Sequence, residues 1–228
     1  MPDGVRQLAL DLRHEPRFGE EDFLVSPSNE AAYAAIGRGP TRSDPLLRLE
    51  GPRGSGKSHL ASIWAGRTGA ALLPARSVSA ATVPLLASAP ALALEDLDAG
   101  PLDEDALFHL VNLAREGGLP LLLTSGRPVE LCGIGTPDLL SRLRLATAVR
   151  LGEPDDGLLK AVLVKLFADR QLGVDASVVE FVALRIERSL ARAAEVVAEL
   201  DREALSQGRR VTRLIAAAVL GRHPDAME

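Results

Sequence analysis

Short apolar runs alternate with stretches of helical periodicity between residues 46 and 151. The runs are five or six residues long and mainly apolar, which is typical of strands that helices cover on both faces. They span residues 46–50, 70–74, 91–95, 120–125 and 147–151. Helical patterns lie between several of them, from Ser58 to about Arg67, from Asp103 to Arg115 and near 137–144. This alternation predicts a parallel α/β sheet.

The hydrophobic period becomes helical after residue 154. Asp155, Asp175 and Ser189 each precede such a pattern and can cap a helix, while Gly208 and Gly221 can end one. The predicted helices lie within 155–170, 175–186, 189–207 and 210–220. We therefore expect three parts, which are a tail at 1–20, an α/β domain at 21–152 and a small all-helical subdomain at 153–228.

Charge and composition exclude several classes of protein. The 228 residues carry 26 Lys and Arg against 31 Asp and Glu, so the basic surplus typical of a nucleic-acid-binding chain is missing. A single cysteine cannot form an intramolecular disulfide, and the four histidines are too widely spaced for a metal site. Charges scattered through the N-terminus and prolines within 80–94 argue against a signal peptide or a membrane span. We expect a cytoplasmic protein that does not bind duplex DNA directly.

Residues 51–58, GPRGSGKS, match the phosphate-binding pattern G-x-x-x-x-G-K-[ST] between a predicted strand and a predicted helix. In such a loop the glycines turn backbone N–H groups toward phosphate oxygens, Lys57 reaches the terminal phosphates, and Ser58 can bind Mg²⁺. The alternative is a glycine-rich turn with a chance lysine, yet Lys57 is one of only three lysines in the chain. The predicted contacts of ATP or ADP are Gly51, Pro52, Arg53, Gly54, Ser55, Gly56, Lys57, Ser58 and His59.

Two carboxylates follow the predicted strand at 91–95. Glu95 is placed to bind Mg²⁺ together with Ser58, and Asp96 is placed to act on the attacking water. The alternative is a strand that ends in a solvated acidic loop, because further acidic residues follow at 98 and 103–105.

Four further segments, in order along the chain, resemble the AAA+ ATPases and within them the DnaA/Hda group. FLVSPSNEAA at 23–32 is similar to the segment beside the adenine, and LLLTSGRP at 121–128 to the sensor-1 strand. LLSRLRL at 139–145 resembles the box that carries an arginine finger, and RSLARAAEVVAELD at 188–201 the sensor-2 helix of the lid subdomain. The resemblance implies an AAA+ fold with a helical lid. It assigns adenine contacts to Leu24 and Val25, a phosphate contact to Arg192, and the finger, a catalytic role, to Arg142.

The tail carries RQLALDL, which is similar to the sliding-clamp-binding motif of Hda-type proteins. The resemblance assigns clamp contacts to Gln7, Leu8, Leu10 and Leu12. DnaA continues into a helix-turn-helix domain after the lid, whereas this chain stops at Glu228. Both features favour the Hda side of the group.

Three positions depart from the usual AAA+ or DnaA-like pattern. Glu95 stands where an aspartate is usual, and Gly126 where DnaA-like proteins commonly carry aspartate. Asp96 stands where most AAA+ enzymes carry glutamate, although DnaA-like proteins also have aspartate there. We therefore expect slow hydrolysis by the chain's own site but intact nucleotide binding.

The hypothesis that unites these features is a negative regulator of replication initiation. It would bind nucleotide and the DNA polymerase III sliding clamp, and would present Arg142 to ATP held by DnaA, with a homodimer as a further possibility. The alternatives are a non-catalytic nucleotide-bound adaptor, a DnaA-like initiation factor and a phosphoryl-transfer kinase. Arg142 and Arg192 have the alternative of being solvated surface arginines, and Trp64 and Phe108 are interpreted as core.

Overall fold

A five-stranded parallel sheet forms the first compact unit, Phe18–Leu158, in the computed structural model of the chain. The structure describes residues 19–41 and 43–222. Its strands are β1 (Leu46–Glu50), β2 (Ala71–Pro74), β3 (Leu92–Glu95), β4 (Leu121–Ser125) and β5 (Thr147–Arg150). Their order across the sheet is β2-β3-β4-β1-β5. The predicted parallel sheet is confirmed.

The register of the central strands brings their carboxyl ends to one edge of the sheet. Glu50 of β1 pairs with Ser125 of β4, and Leu94 of β3 pairs with Leu123 of β4. The loop after β1, the acidic residues after β3 and the turn after β4 therefore meet at this edge, where open parallel sheets bind ligands.

Helices cover both faces of the sheet. The helices of this unit are α1 (Glu30–Arg38), α2 (Lys57–Thr68), α3 (Val83–Ala87), α4 (Glu104–Gly117) and α5 (Pro137–Arg144). In β1, Leu47 and Leu49 face the core formed with α1 and α2, whereas Leu46 faces the core formed with α3, α4 and α5. The central strands are buried, but β2 and β5 are exposed at three of their four residues because each pairs on one side only.

The sequence patterns did not predict α1 and α3. In α3 the proline lies in the first turn, where its missing N–H leaves no helical hydrogen bond unmade. Such a helix of five residues is shorter than two turns and gives no clear period.

The second unit begins at Leu159 and is helical. It contains most of α6 (Asp156–Asp169), with α7 (Ala176–Ala183), α8 (Leu190–Gln207) and α9 (Arg213–Leu220). Phe167, Val182 and Leu200 lie in its core with no exposed surface. Ser189 Oγ accepts a hydrogen bond from Arg192 N and so caps α8 as predicted. Within the described ranges, every helix is too short or too polar to cross a membrane.

Candidate nucleotide site

The loop between β1 and α2 has a backbone that requires glycine. Gly54 and Gly56 have φ angles of 75° and 102°, in the left-handed region that other residues rarely adopt. A side chain at Gly51 would place its Cβ 2.6 Å from the carbonyl oxygen of Leu151. The three glycines of the loop thus have two steric reasons, a left-handed backbone at Gly54 and Gly56 and a lack of space at Gly51.

Lys57 folds back over this loop. Its Nζ donates hydrogen bonds to the carbonyl oxygens of Gly51 and Pro52, at 2.7 and 2.9 Å, and the residue is buried. Burial lowers the pKa of Lys57, and the negative charges of Asp96, Asp98 and Glu95 oppose this shift. The ammonium thus lies inside the loop, where a phosphate oxygen would be a stronger partner than a carbonyl.

Two polar atoms at this edge are buried without a partner among the described residues. They are Oγ of Ser55 in the loop and Oε1 of Glu95 at the end of β3. Buried polar atoms in folded proteins are almost always hydrogen-bonded, so these two fit a site built for a ligand with phosphate and metal-bound water. Ser58 lies exposed in the first turn of α2. In the described part of the chain, no three His, Cys, Asp or Glu side chains form a metal site, so Mg²⁺ would depend on phosphate oxygens as well.

Thr124 of β4 holds the backbone of the acidic residues. Its Oγ1 accepts a hydrogen bond from Asp96 N at 3.0 Å, and its carbonyl accepts one from Leu97 N at 3.0 Å. Asp96 has a φ of 60°, an uncommon conformation for a residue with a side chain. The two bonds fix this strained residue against β4.

Asp98 occupies the space beside the turn after β4. Its Oδ1 accepts a hydrogen bond from Gly126 N at 2.8 Å, and its Oδ2 lies 3.2 Å from Nε of Arg127. A Cβ at Gly126 would lie 2.7 Å from Oδ2 of Asp98. The turn after β4 carries Gly126 in place of an aspartate, and Asp98 from the loop after β3 supplies a carboxylate beside it. The sequence patterns did not single out Asp98.

The segment before α1 packs against the first turn of α2. Phe23 contacts the His59 ring edge-on, at 5.1 Å between centroids, and a ring nitrogen of His59 lies 2.8 Å from the carbonyl oxygen of Gly19. Asn29 Nδ2 donates a hydrogen bond to the carbonyl oxygen of Leu24 and so holds the backbone of the segment before α1. His59 is therefore near the segment predicted to flank adenine, while the adenine contacts of Leu24 and Val25 stay predictions.

Arg142 lies near the end of α5, against α4. Its guanidinium carbon is 5.1 Å from the centroid of the Phe108 ring, and Arg115 donates to its backbone carbonyl at 3.4 Å. Among the described residues, no carboxylate lies within ion-pair distance of the Arg142 guanidinium. Arg144 differs, because its Nε is 3.3 Å from Oε1 of Glu130.

Glu104 of α4 fixes the other end of α5. Its two carboxylate oxygens accept hydrogen bonds from the backbone N–H groups of Gly135 and Thr136, at 2.9 and 2.6 Å. Hydrogen bonding to Thr136, followed by that to Gly135, lowers the pKa of Glu104 below its ordinary value of 4.5.

Replacing Glu104 by glutamine should therefore lower stability mainly above pH 4.5. A depressed pKa means that the carboxylate stabilises the fold above its unfolded-state pKa and loses this contribution as the pH falls through the folded-state pKa. Glutamine keeps an acceptor oxygen and solvent screens the partly exposed carboxylate, so we expect a loss of about 1 kcal/mol, or roughly 2–4 °C in Tm for a chain of this length. Thermal unfolding of wild type and Glu104→Gln at pH 7 and pH 3.5 measures the difference, which should shrink at the lower pH. An equal difference at both pH values would contradict this role.

Solved structures of replication and recombination proteins are similar to the chain. Domain III of the replication initiation protein DnaA from Thermotoga maritima has a TM-score of 0.76 and 20% identity, covering 91% of this chain and 97% of that one. The AMPPCP-bound DnaA of Aquifex aeolicus has a TM-score of 0.66 and 20% identity, covering 85% and 68%. The T. maritima RuvB Holliday junction branch migration motor has a TM-score of 0.65 and 18% identity, covering 86% and 66%. No protein-family model and no curated protein sequence matches the chain.

The chain has the AAA+ fold. This confirms the fold class predicted for it, an α/β sheet unit of the phosphate-loop type followed by a helical lid subdomain. The AAA+ sheet unit brings together the phosphate loop, Glu95, Asp96 and the β4 turn, which are far apart in sequence.

The lid arginine lies where the helix pattern predicted it. Arg192 is in the first turn of α8, and its Nη1 lies 3.3 Å from Glu195 and 3.4 Å from Glu199 on the same helix. Its predicted phosphate contact stays a prediction, as does the predicted clamp motif, whose residues 7–12 lie outside the described residues.

Proposed function

We propose that this chain binds ATP or ADP in the loop at 51–58 and regulates DnaA as a negative regulator of replication initiation. The loop supports nucleotide binding through its glycine conformations, the buried Lys57 and the unpartnered Ser55 Oγ. The phosphates would be held by backbone N–H groups and Lys57, and Mg²⁺ by Ser58 and Glu95. Bound Mg²⁺ supplies charge neutralisation of the phosphates.

The observation that carries the regulatory proposal is the state of the two arginines that end α5. Arg144 forms an ion pair with Glu130, whereas the Arg142 guanidinium contacts the Phe108 ring and has no carboxylate partner among the described residues. A guanidinium without a counter-charge is suited to an anionic group of another molecule. We assign that group to the terminal phosphate of ATP held by DnaA, where an added positive charge raises hydrolysis by about 10³- to 10⁵-fold in known systems.

Hydrolysis by the chain's own site is proposed to be slow. The carboxylate of Glu95 is one methylene longer than aspartate, and Asp96 is one methylene shorter than the glutamate of most AAA+ enzymes. Gly126 has no side chain to act on water, and Asp98 beside it is tied to Gly126 N and Arg127. In this proposal the chain keeps its bound nucleotide, whereas DnaA is converted from its ATP-bound to its ADP-bound form.

The test is phosphate release by ATP-loaded DnaA with the sliding clamp loaded on DNA. Adding wild-type chain should accelerate release by about 10³-fold or more if it provides an arginine finger. Binding to DnaA without acceleration would instead support the non-catalytic adaptor.

Clamp binding is proposed to depend on Gln7, Leu8, Leu10 and Leu12. An extended segment can place apolar side chains in a groove of the clamp while the glutamine amide binds at its polar end. Removing residues 1–12 should abolish binding to immobilised clamp but preserve the ADP-dependent rise in Tm. Unchanged clamp affinity of the truncated chain would refute the motif.

A further inference from the structure

Residues on one face of α4 contact both ends of α5. Glu104, Phe108 and Arg115 are spaced four and seven residues apart, so they lie on one face of the helix. Glu104 binds the backbone that leads into α5, while Phe108 and Arg115 contact the side chain and the carbonyl of Arg142. Helix α4 thus contacts both the segment that leads into α5 and the arginine to which we assign the finger.

The contact with Phe108 leaves the donors of Arg142 available. A guanidinium over an aromatic face is attracted through its positive charge, so this contact uses none of its five N–H donors. The ring also restricts the rotamers of a long side chain, so less conformational entropy is lost when the N–H groups bind a phosphoryl group. A carboxylate partner would restrict the side chain too, but it would occupy the N–H groups and cancel the charge.

We propose that Phe108 is a positioning residue that holds the Arg142 guanidinium ready for the phosphoryl group of a nucleotide on a partner ATPase. This inference rests on the proposed function. Its mechanism is electrostatic and geometric, because the face of the ring attracts the cation and restricts the positions that the guanidinium adopts.

The test compares Phe108→Leu, Phe108→Met and Phe108→Tyr in the DnaA assay, with the chain titrated to saturation. Leucine and methionine fill much of the volume without a ring, whereas tyrosine keeps the ring. We expect Leu and Met to lower the maximal stimulation about 3- to 20-fold, the range of a cation–π contact, with an unchanged half-saturating concentration. Tyrosine should restore stimulation to near the wild-type rate. A matched control is Phe181→Leu, which removes a ring 3.8 Å from the Arg185 guanidinium in the lid and should leave stimulation unchanged.

The outcomes separate this inference from the proposed function. Absence of stimulation by the wild-type chain overturns both. Stimulation at the wild-type level by Phe108→Leu or Phe108→Met overturns the positioning role alone. So does a Phe108→Tyr variant as weak as Phe108→Leu, or a loss that appears only as a higher half-saturating concentration. An ADP-dependent Tm rise equal to that of wild type verifies that each variant is folded.

Discussion

Replacing Arg142 by alanine is expected to return the rate of ATP hydrolysis by DnaA to that of DnaA alone. The substitution removes the guanidinium near the end of α5 that has no carboxylate partner among the described residues, together with about 10³ to 10⁵ of rate that such a group contributes to phosphoryl transfer. The phosphate loop, which connects β1 to α2, keeps all its contacts. Clamp and nucleotide binding should therefore stay near wild type, as measured by immobilised clamp and by ADP-dependent Tm.

Arg144→Ala is the matched control for this variant. It removes an arginine from the same helix, but one already neutralised by Glu130 in an exposed ion pair that is worth at most about 1 kcal/mol. Stimulation by Arg144→Ala should be close to wild type. Full stimulation by Arg142→Ala would remove the finger mechanism and favour the adaptor, and a loss confined to Arg144→Ala would move the finger to that residue.

Lys57→Ala should weaken nucleotide binding by about 10- to 100-fold or more. The loop would keep its backbone N–H groups but lose a buried cation, and hydrogen bonds to charged groups contribute about 1.5–3 kcal/mol. Nucleotide at 100 times its Kd stabilises a folded chain by about 2.7 kcal/mol, which is roughly 5–10 °C in Tm at this length. This rise, seen with wild type and ADP in a thermal melt, should fall to about half in the variant after a 10-fold loss of affinity and to about one sixth after a 100-fold loss.

Lys160→Ala provides the comparison, because Lys160 is one of the two other lysines and lies on α6. It should show the full ADP-dependent rise. The assignment of nucleotide binding to the loop at 51–58 would be wrong if Lys57→Ala showed the same ADP-dependent rise in Tm as Lys160→Ala.

The elements that could be predicted from sequence are those that residues close together in the chain determine. The strands β1, β3 and β4 are apolar because both of their faces are buried, and the phosphate loop carries its own glycines and lysine within eight residues. Ser189 and Asp103 predict the starts of their helices, because a capping side chain accepts a hydrogen bond from a backbone N–H three residues later. The structure follows this short-range rule at Asp103 and Ser189, whereas Asp175 precedes α7 without a capping hydrogen bond from its side chain.

The contacts that sequence patterns missed join distant residues. Asp98 and Gly126 are 28 positions apart, and Phe108 and Arg142 are 34 apart, so only the sheet order and the packing of α5 on α4 bring them together. Phe108 has the spacing of a core residue, and it does pack partly against the core beneath α4. Nothing in its own segment indicates that its ring also contacts an arginine.

In the role proposed for it, Asp96 sets the stability of the fold against hydrolysis at a single position. Its left-handed backbone is one that glycine adopts freely, so a change to glycine would relieve strain of about 1 kcal/mol while removing the carboxylate from the site. Laboratory evolution that selects only for heat resistance would thus favour glycine at residue 96, whereas selection for hydrolysis would retain an acid. The residue found at position 96 in the selected variants would therefore show whether heat resistance or hydrolysis had been selected.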